Sequence, residues 1–362
     1  MAKETTSYHF TSNSAGDDLV TDHVKKISQF IELKLGEGLL ALVLAGSFGR
    51  GEGSICRHDD GRVEPINDYD FLIVLKASAP AMARETLAKW ELECSRITGM
   101  RWIDFSTLSE SRLPRLPLTQ ANYDLKFGGH VVAGRTDVLS VIPEYRAEEI
   151  PLKEAQILLT TRFWCFIGTE PQRILREASS LNPDEHRVAL QQLSKALIAS
   201  GDSHLMSERI YCVKYAEKAR RIAALPGIEE NERHLLEWGY SYKLGKTKAL
   251  LEGYDLRRLF VEALNLHLTT WECIHVRVPF YKGIFFSRLV GGVRQLIRRG
   301  SLAGIRGVLL DRIQLRFLCW VRIYLAEQRV RWPDSALLWI HCREWLSDAS
   351  TYAAKVAELR LK

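Results

Sequence analysis

The sequence lacks the cysteine pattern of a disulfide scaffold or of a structural zinc site. Its seven cysteines are scattered over 362 residues, and no two of them form a Cys-x-x-Cys pair. Small oxidised domains and structural zinc sites need paired, regularly spaced cysteines. We therefore expect neither feature in this chain, and we expect a reducing, cytoplasmic environment.

Long apolar runs are also missing. The longest run, residues 39–45, has seven residues, whereas a helix that spans a bilayer needs about 20. Residues 1–16 are polar and rich in Ser and Thr, without the apolar centre of a signal peptide. The sequence therefore predicts a flexible N-terminal segment and no membrane span.

Acidic residues are scarce in one late segment, residues 277–331. It holds twelve Lys and Arg but only two acidic residues, a net charge of +10. Because the whole chain carries +6, the remainder carries −4. Apolar residues recur at helical spacing in this segment, which leaves three interpretations open. It forms core-facing helices with a solvated Arg face, lies on an anionic membrane surface, or binds RNA or another nucleic acid backbone.

The remaining composition is that of a globular protein, with 46% hydrophobic and 26% charged residues. A chain of this length favours two domains. Residues 17–35 have apolar side chains at helical spacing, with Asp17 or Asp18 to cap the start and Gly36 to close the end. The pattern predicts an α+β domain over residues 17–150 and an all-helical domain over residues 151–362. Within the first domain it predicts strands at 39–45, 69–75 and 100–105, a helix at 79–97, a loop or hairpin at 53–67, and a second hairpin at 124–132.

The most informative pattern is a small-residue turn followed by two acidic residues. The first apolar run ends at Gly46-Ser47, and a turn that opens a helix there would offer backbone N–H groups to phosphate oxygens. The second apolar run carries Asp68 and Asp70, whose side chains lie on the same face of a strand. They are therefore expected to share a divalent cation. Together these features indicate a site for a metal-bound nucleoside triphosphate.

A third carboxylate, Asp104, lies in the next predicted strand between Ile103 and Phe105. Charged groups in apolar strands are costly unless a cation compensates them. Hard oxygen ligands and a triphosphate favour Mg²⁺, with Mn²⁺ as an alternative. In phosphoryl transfer with two metal ions, one ion neutralises the leaving pyrophosphate and the other activates the attacking hydroxyl. Each carboxylate taken alone would also fit an ordinary solvated strand end.

The order of these features resembles the nucleotidyltransferase superfamily with the DNA polymerase β fold. The resemblance covers about residues 38–108 and implies a mixed or antiparallel sheet in the first domain. The interval from Ser47 to Asp68 is longer than is usual in the family, so residues 53–67 are expected to be a surface insertion. Such insertions cost little free energy, and this one can contact an acceptor substrate.

The resemblance also implies roles for the motif residues. Gly46 and Ser47 would bind the triphosphate. Asp68 and Asp70 would bind both metal ions, and Asp104 would bind the catalytic ion. In the mechanism that we expect, Asp104 also accepts the proton of the acceptor hydroxyl.

Four further residues are candidates for nucleotide binding. Arg50 follows the turn and can contact a phosphate oxygen. In the helical domain, Lys214, Tyr215 and Lys218 lie within about one predicted helical turn. They are expected either to hold the triphosphate and stack on its base or to form a solvated amphipathic helix.

Two other charged residues have open interpretations. Asp124 and Lys126 are two residues apart in a predicted strand, so their side chains are expected on the same face. This favours an ion pair between them over a contact of Lys126 with the triphosphate. Asp124 is also the alternative third metal ligand. Glu52 is either part of the motif or a favourable charge in the first turn of a helix.

The sequence therefore predicts a Mg²⁺-dependent nucleotidyltransferase. It would transfer AMP from ATP, the favoured donor, to a hydroxyl of a small molecule and release pyrophosphate. One alternative is nucleotide transfer to a protein or to RNA, as in a toxin or a tRNA-modifying enzyme. Another is a non-catalytic binding or scaffold protein on the same fold. A small-molecule acceptor is favoured because no RNA-binding module is recognisable in the sequence.

Overall fold

The structure of the chain is a computed structural model. It describes residues 8–11, 16–57, 61–100, 102–167, 169, 173–175, 181–247 and 249–277. Apart from Arg277, the basic segment 277–331 lies outside the described residues, and so do the predictions for it.

Contacts divide the chain into two units. In the described residues, the first comprises residues 8–149 together with Cys212–Glu217, and the second comprises Ile150–Tyr211 and the residues from Lys218 to Arg277. The first unit contains strands and helices and the second contains helices, which confirms an α+β fold followed by helices. The helices are α1 (Asp17–Leu35), α2 (Gly46–Gly49), α3 (Arg84–Thr98), α4 (Gln120–Gly128), α5 (Lys153–Arg162), α6 (Trp164–Ile167), α7 (Pro183–Ser207), α8 (Tyr215–Ala224), α9 (Glu230–Lys243) and α10 (Leu256–Arg277). The strands are β1 (Leu39–Leu44), β2 (Ile55–Arg57), β3 (Val63–Pro65), β4 (Tyr69–Leu75), β5 (Ile103–Ser109) and β6 (His130–Gly134).

Four strands of the first unit form a mixed sheet in the order β5-β4-β1-β6. β1 is antiparallel to β4 and to β6, and β4 is parallel to β5. Side chains alternate between the faces of a strand. Phe71 and Ile73 therefore pack into a core with α1 and α3, whereas Leu72 and Val74 pack into a second core with Leu113.

Helix α1 has the predicted bounds, because its apolar stripe packs against the sheet. Val24 and Ile27 are buried, and Gly36 follows the last helical residue with φ +47°. The predicted side-chain cap was wrong. Gly16 holds the N-cap position without a side-chain cap, and the Asp17 carboxylate binds a preceding segment instead.

That segment is residues 8–11. The Asp17 carboxylate accepts hydrogen bonds from the backbone N–H groups of Phe10 (2.9 Å) and Thr11 (3.0 Å). The Phe10 carbonyl accepts one from Gly53 (3.0 Å). These contacts attach the segment to the start of α1 and to the loop that follows α2.

The hairpin predicted at residues 124–132 was wrong. The Thr119 hydroxyl accepts a hydrogen bond from the Asn122 N–H at 3.1 Å and caps the start of α4. This N-cap begins a helix where the alternation of polar and apolar residues had indicated a strand. Only the end of the predicted segment is a strand, β6.

The predicted ion pair between Asp124 and Lys126 was wrong for the same reason. Residues two apart on a helix point about 200° away from each other. Lys126 instead donates to the Ile142 carbonyl at 2.7 Å and to Glu144 at 2.9 Å. Asp124 accepts a hydrogen bond from Gln120 at 2.7 Å.

The insertion over residues 53–67 contains the hairpin of β2 and β3, one of the two predicted forms. Strand β5 was placed too early in the chain. It runs to Ser109 because it pairs with β4 along the whole length of that strand, although Ser106, Thr107 and Ser109 are polar.

In the second unit, α7 packs against α5, α9 and α10. Its start is closed by reciprocal hydrogen bonds of 2.9 Å, from the Glu185 N–H to the Asn182 side chain and from the Asn182 N–H to the Glu185 carboxylate. Pro183 stands at the first helical position, where its missing N–H costs nothing. Among the described helices, none has the length and hydropathy of a membrane span.

Candidate metal and nucleotide site

Three carboxylates meet near the beginning of two neighbouring parallel strands. Asp70 in β4 and Asp104 in β5 are register partners, so their side chains lie on the same face of the sheet. Asp68 immediately precedes β4 and lies on that face too, because it is two residues from Asp70. One oxygen of each carboxylate lies within 4.8 Å of the others. The structure therefore brings the three predicted residues together.

The residue between Asp68 and Asp70 fixes the direction of the two carboxylates. Tyr69 is fully buried on the opposite face, with its ring centroid 4.7 Å from that of Phe48. Its hydroxyl lies 3.1 Å from Nδ1 of His23 on α1. Burial raises the pKa of Tyr69, so the phenol stays neutral. With Tyr69 packed in the core, Asp68 and Asp70 must point to the other face.

The Gly46-Ser47 turn lies directly against this cluster. The Ala45 N–H donates to the backbone carbonyl of Asp70 at 2.7 Å. Gly46 has φ +63°, and a Cβ at this position would lie 2.2 Å from Oδ2 of Asp70. Only glycine has both the conformational freedom and the space for this approach. The backbone of Ser47, a buried residue, follows in α2.

Arg50 lies in a buried cluster of its own. Its guanidinium is 3.8 Å from the Glu52 carboxylate, 3.9 Å from the Asp124 carboxylate and 4.5 Å from the centre of the Tyr215 ring. The Arg50 side chain is only 6% exposed. Its contact with a phosphate stays a prediction, whereas its part in joining these three side chains is observed.

Glu52 has a role that sequence reasoning missed. Its carboxylate accepts the backbone N–H groups of Tyr215 (2.7 Å) and Ala216 (3.0 Å), at the start of α8. A negative charge is favourable at this end of a helix. Glu52 therefore caps a helix 163 residues later in the chain, and no local pattern could indicate that partner.

Lys214, Tyr215 and Lys218, the candidates at and just before the start of α8, lie in different surroundings. Lys214 is exposed and Tyr215 is half-buried, and both belong to the first unit. Lys218 is buried in the second unit, where its ammonium donates to Asp202 (2.7 Å) and to the Tyr211 hydroxyl (2.9 Å). Both interpretations of Lys218, as a triphosphate ligand and as part of a solvated face, were therefore wrong.

The donor set of the cluster fits a hard divalent cation. Asp68, Asp70 and Asp104 offer only carboxylate oxygens, the ligands that Mg²⁺ and Mn²⁺ accept. Carboxylates this close repel each other, and a cation would relieve that repulsion. Asp124, the alternative third ligand, is not in this group. The chain matches no protein-family model, and a search of curated proteins finds no significant match.

Proposed function

We propose that this protein is a Mg²⁺-dependent nucleotidyltransferase with a polymerase β-like catalytic unit. The observation that carries the proposal is the cluster of Asp68, Asp70 and Asp104 beside the Gly46 turn. A mixed sheet supports it, with Asp70 on one strand, Asp68 immediately before that strand and Asp104 on the parallel neighbour.

The reaction joins an acceptor hydroxyl to the α-phosphorus of the nucleotide. The hydroxyl oxygen forms the new bond, the bond from the α-phosphorus to the pyrophosphate oxygen breaks, and pyrophosphate leaves. Asp68 and Asp70 would hold Mg²⁺ together with the triphosphate, and Asp104 would complete the site and accept the hydroxyl proton. Bound Mg²⁺ would neutralise the charge that develops on the leaving pyrophosphate and would lower the pKa of the acceptor hydroxyl.

We assign nucleotide binding to the Gly46-Ser47 turn and to two residues just before and at the start of α8, Lys214 and Tyr215. The backbone N–H groups at Gly46 and Ser47 would donate to the triphosphate, and Gly46 has no side chain to obstruct it. Lys214 supplies an exposed positive charge, and Tyr215, held by Arg50 and Glu52, supplies an aromatic ring. ATP is the favoured donor and a hydroxyl on a small molecule is the favoured acceptor.

The test is calorimetric titration of ATP, GTP, CTP and UTP into the full chain with Mg²⁺. We expect one nucleotide to bind with a dependence on Mg²⁺, and we expect Asp68→Ala/Asp70→Ala to lose that binding. Asp18→Ala/Glu32→Ala removes the same charge from exposed positions of α1 and should bind as the wild type does.

Two results would overturn the proposal. One is the absence of binding for all four nucleotides, which would favour a non-catalytic binding protein. The other is binding that survives in Asp68→Ala/Asp70→Ala, because the carboxylates would then have no part in it.

A further inference from the structure

Strand β5, which carries Asp104, is an outer strand of the described sheet. Its inner side pairs with β4, while the outer side of an edge strand usually presents open backbone groups. At Phe105 both outer groups are occupied by side chains of α3. The Phe105 N–H donates to Oε1 of Glu91 at 3.0 Å, and Nη1 of Arg84 donates to the Phe105 carbonyl at 3.1 Å.

The two side chains are joined to each other. Nη1 of Arg84 lies 2.6 Å from Oε1 of Glu91, and Nη2 lies 3.1 Å from Oε2. This is the bidentate arrangement, which fixes direction as well as distance. The Glu91 side chain is 15% exposed, so water competes little for it. The pair offers Phe105 one acceptor and one donor, as a neighbouring strand would.

The position of Phe105 determines the position of Asp104. The Phe105 N–H and the Asp104 carbonyl belong to one planar peptide group. The outer side of this group is held by Glu91, while Asp104 is aligned with Asp70 in the β4 ladder. The backbone that carries the Asp104 carboxylate is therefore held from both sides.

We propose that Arg84 and Glu91 are positioning residues for Asp104, which set its carboxylate at the distance from Asp70 that a divalent cation requires. The inference rests on the proposed function for the role of the cation. Neither side chain is placed in contact with the cation. Loss of a hydrogen bond to a metal-binding side chain typically weakens metal binding by about 10–100-fold; because this pair acts through the next peptide group, we expect an effect at the lower end of that range.

The first test uses Mn²⁺ alone, with its free concentration followed by electron paramagnetic resonance in the full chain. We expect Glu91→Ala to raise the Kd for Mn²⁺ by about 10-fold. Glu91→Gln retains an acceptor oxygen for the Phe105 N–H and should stay within about 3-fold of the wild type. Glu85→Ala removes the same charge from α3 and should leave the Kd unchanged. An unchanged Kd in a folded Glu91→Ala protein overturns the positioning role.

The second test needs no metal, so it separates this inference from the proposed function. We expect hydrogen exchange at the Phe105 amide to be at least about 10-fold faster in Glu91→Ala and in Arg84→Ala, because its acceptor is lost or released. Equal exchange rates in wild type and variants overturn the inference. If the wild type binds no Mn²⁺, the proposed function fails, and the Phe105 exchange rate alone decides whether the pair holds the strand.

Discussion

At the scale of single residues, Gly46 is the position where the turn and the acidic cluster meet. Gly46→Ala should cost about 1–2 kcal/mol of unfolding free energy because of the positive φ. It should also displace the Asp70 carboxylate, which lies 2.2 Å from the new Cβ, and weaken Mn²⁺ binding by about 10-fold. Denaturant unfolding and Mn²⁺ titration measure the two effects.

Gly99 provides the matched control. It has φ +72°, and a Cβ there would meet no atom within 4 Å. Gly99→Ala should therefore carry the backbone cost without the change in Mn²⁺ affinity. Equal affinities in the two variants would contradict the close approach of Gly46 to Asp70.

A second residue, His267, makes stability depend on pH. Burial lowers the pKa of His267 to about 4. Its Nε2 lies 2.9 Å from the Leu159 carbonyl and its Nδ1 lies 3.0 Å from the Ser200 hydroxyl. A histidine in the unfolded chain has a pKa near 6.5. The unfolded state therefore binds more protons below that pH, and the free energy of unfolding should fall as the pH drops from about 6.5 to about 4.

The expected loss over this interval is roughly 3 kcal/mol. Urea unfolding of the wild type at a series of pH values measures it. Burial also lowers the pKa of His23, His130 and His204 and acts in the same direction. His267→Gln should therefore show a shallower decline with acid, and an identical decline would exclude His267 as its source.

At the scale of secondary-structure elements, the sequence pattern was sufficient to predict an element where its apolar residues followed a single periodicity. Helix α1 and strand β4 have the predicted bounds: the apolar stripe of α1 packs against one core, and the apolar run of β4 is buried in a core on each face of the sheet. The shared face of Asp68 and Asp70 also followed from strand geometry, whereas Asp104 was assigned to the same site by the family resemblance. The wrong predictions concern segments whose structure is set by hydrogen bonds that the apolar pattern does not indicate. An N-cap at Thr119 overrode alternation in α4.

The partners of charged residues were the hardest feature to predict. Glu52 was one of several acidic residues near a turn, and its ligands are backbone groups far along the chain. Lys218 had the spacing of a surface helix residue but is neutralised by Asp202 in a core. The spacing of residues in the sequence predicts on which face of a helix or strand a charged side chain lies. Which group it pairs with is determined by tertiary packing.

The cap on α8 gives a prediction for this element. Glu52→Ala should lower the free energy of unfolding by about 2 kcal/mol, because two part-buried backbone N–H groups at the start of the helix lose their acceptor. Glu52→Gln keeps one acceptor oxygen and should lose less. Hydrogen exchange at Tyr215 and Ala216 should accelerate with the same order of effect. Unchanged exchange at both amides would contradict the cap.

At the scale of the whole molecule, each of the two units contains a buried ionic cluster. In the first, Arg50 lies between Glu52 and Asp124. In the second, Asp202 accepts hydrogen bonds from Lys218 (2.7 Å) and from the Tyr240 hydroxyl (2.8 Å). A buried charge is tolerated only while its partners are in place.

Removal of one partner should therefore be severe. Lys218→Met leaves the Asp202 carboxylate buried without its cation, and we expect a loss of about 3–5 kcal/mol of unfolding free energy. Lys218→Met/Asp202→Asn removes both charges and should recover much of that loss, as measured by denaturant unfolding. A double variant as unstable as Lys218→Met would show that packing, not charge, is responsible.

The two contacts of Glu52 with backbone amides also have a consequence for synthesis on the ribosome. The first unit takes Cys212–Glu217 from beyond the start of the second. Translation therefore finishes the sheet, from Leu39 to Gly134, well before Tyr215 and Ala216 are made. Until those residues leave the exit tunnel, the nascent chain carries a glutamate without its amide ligands. Arg50 and Glu52 are thus made early, while their partner Tyr215 arrives about 80 residues after the last strand of the sheet.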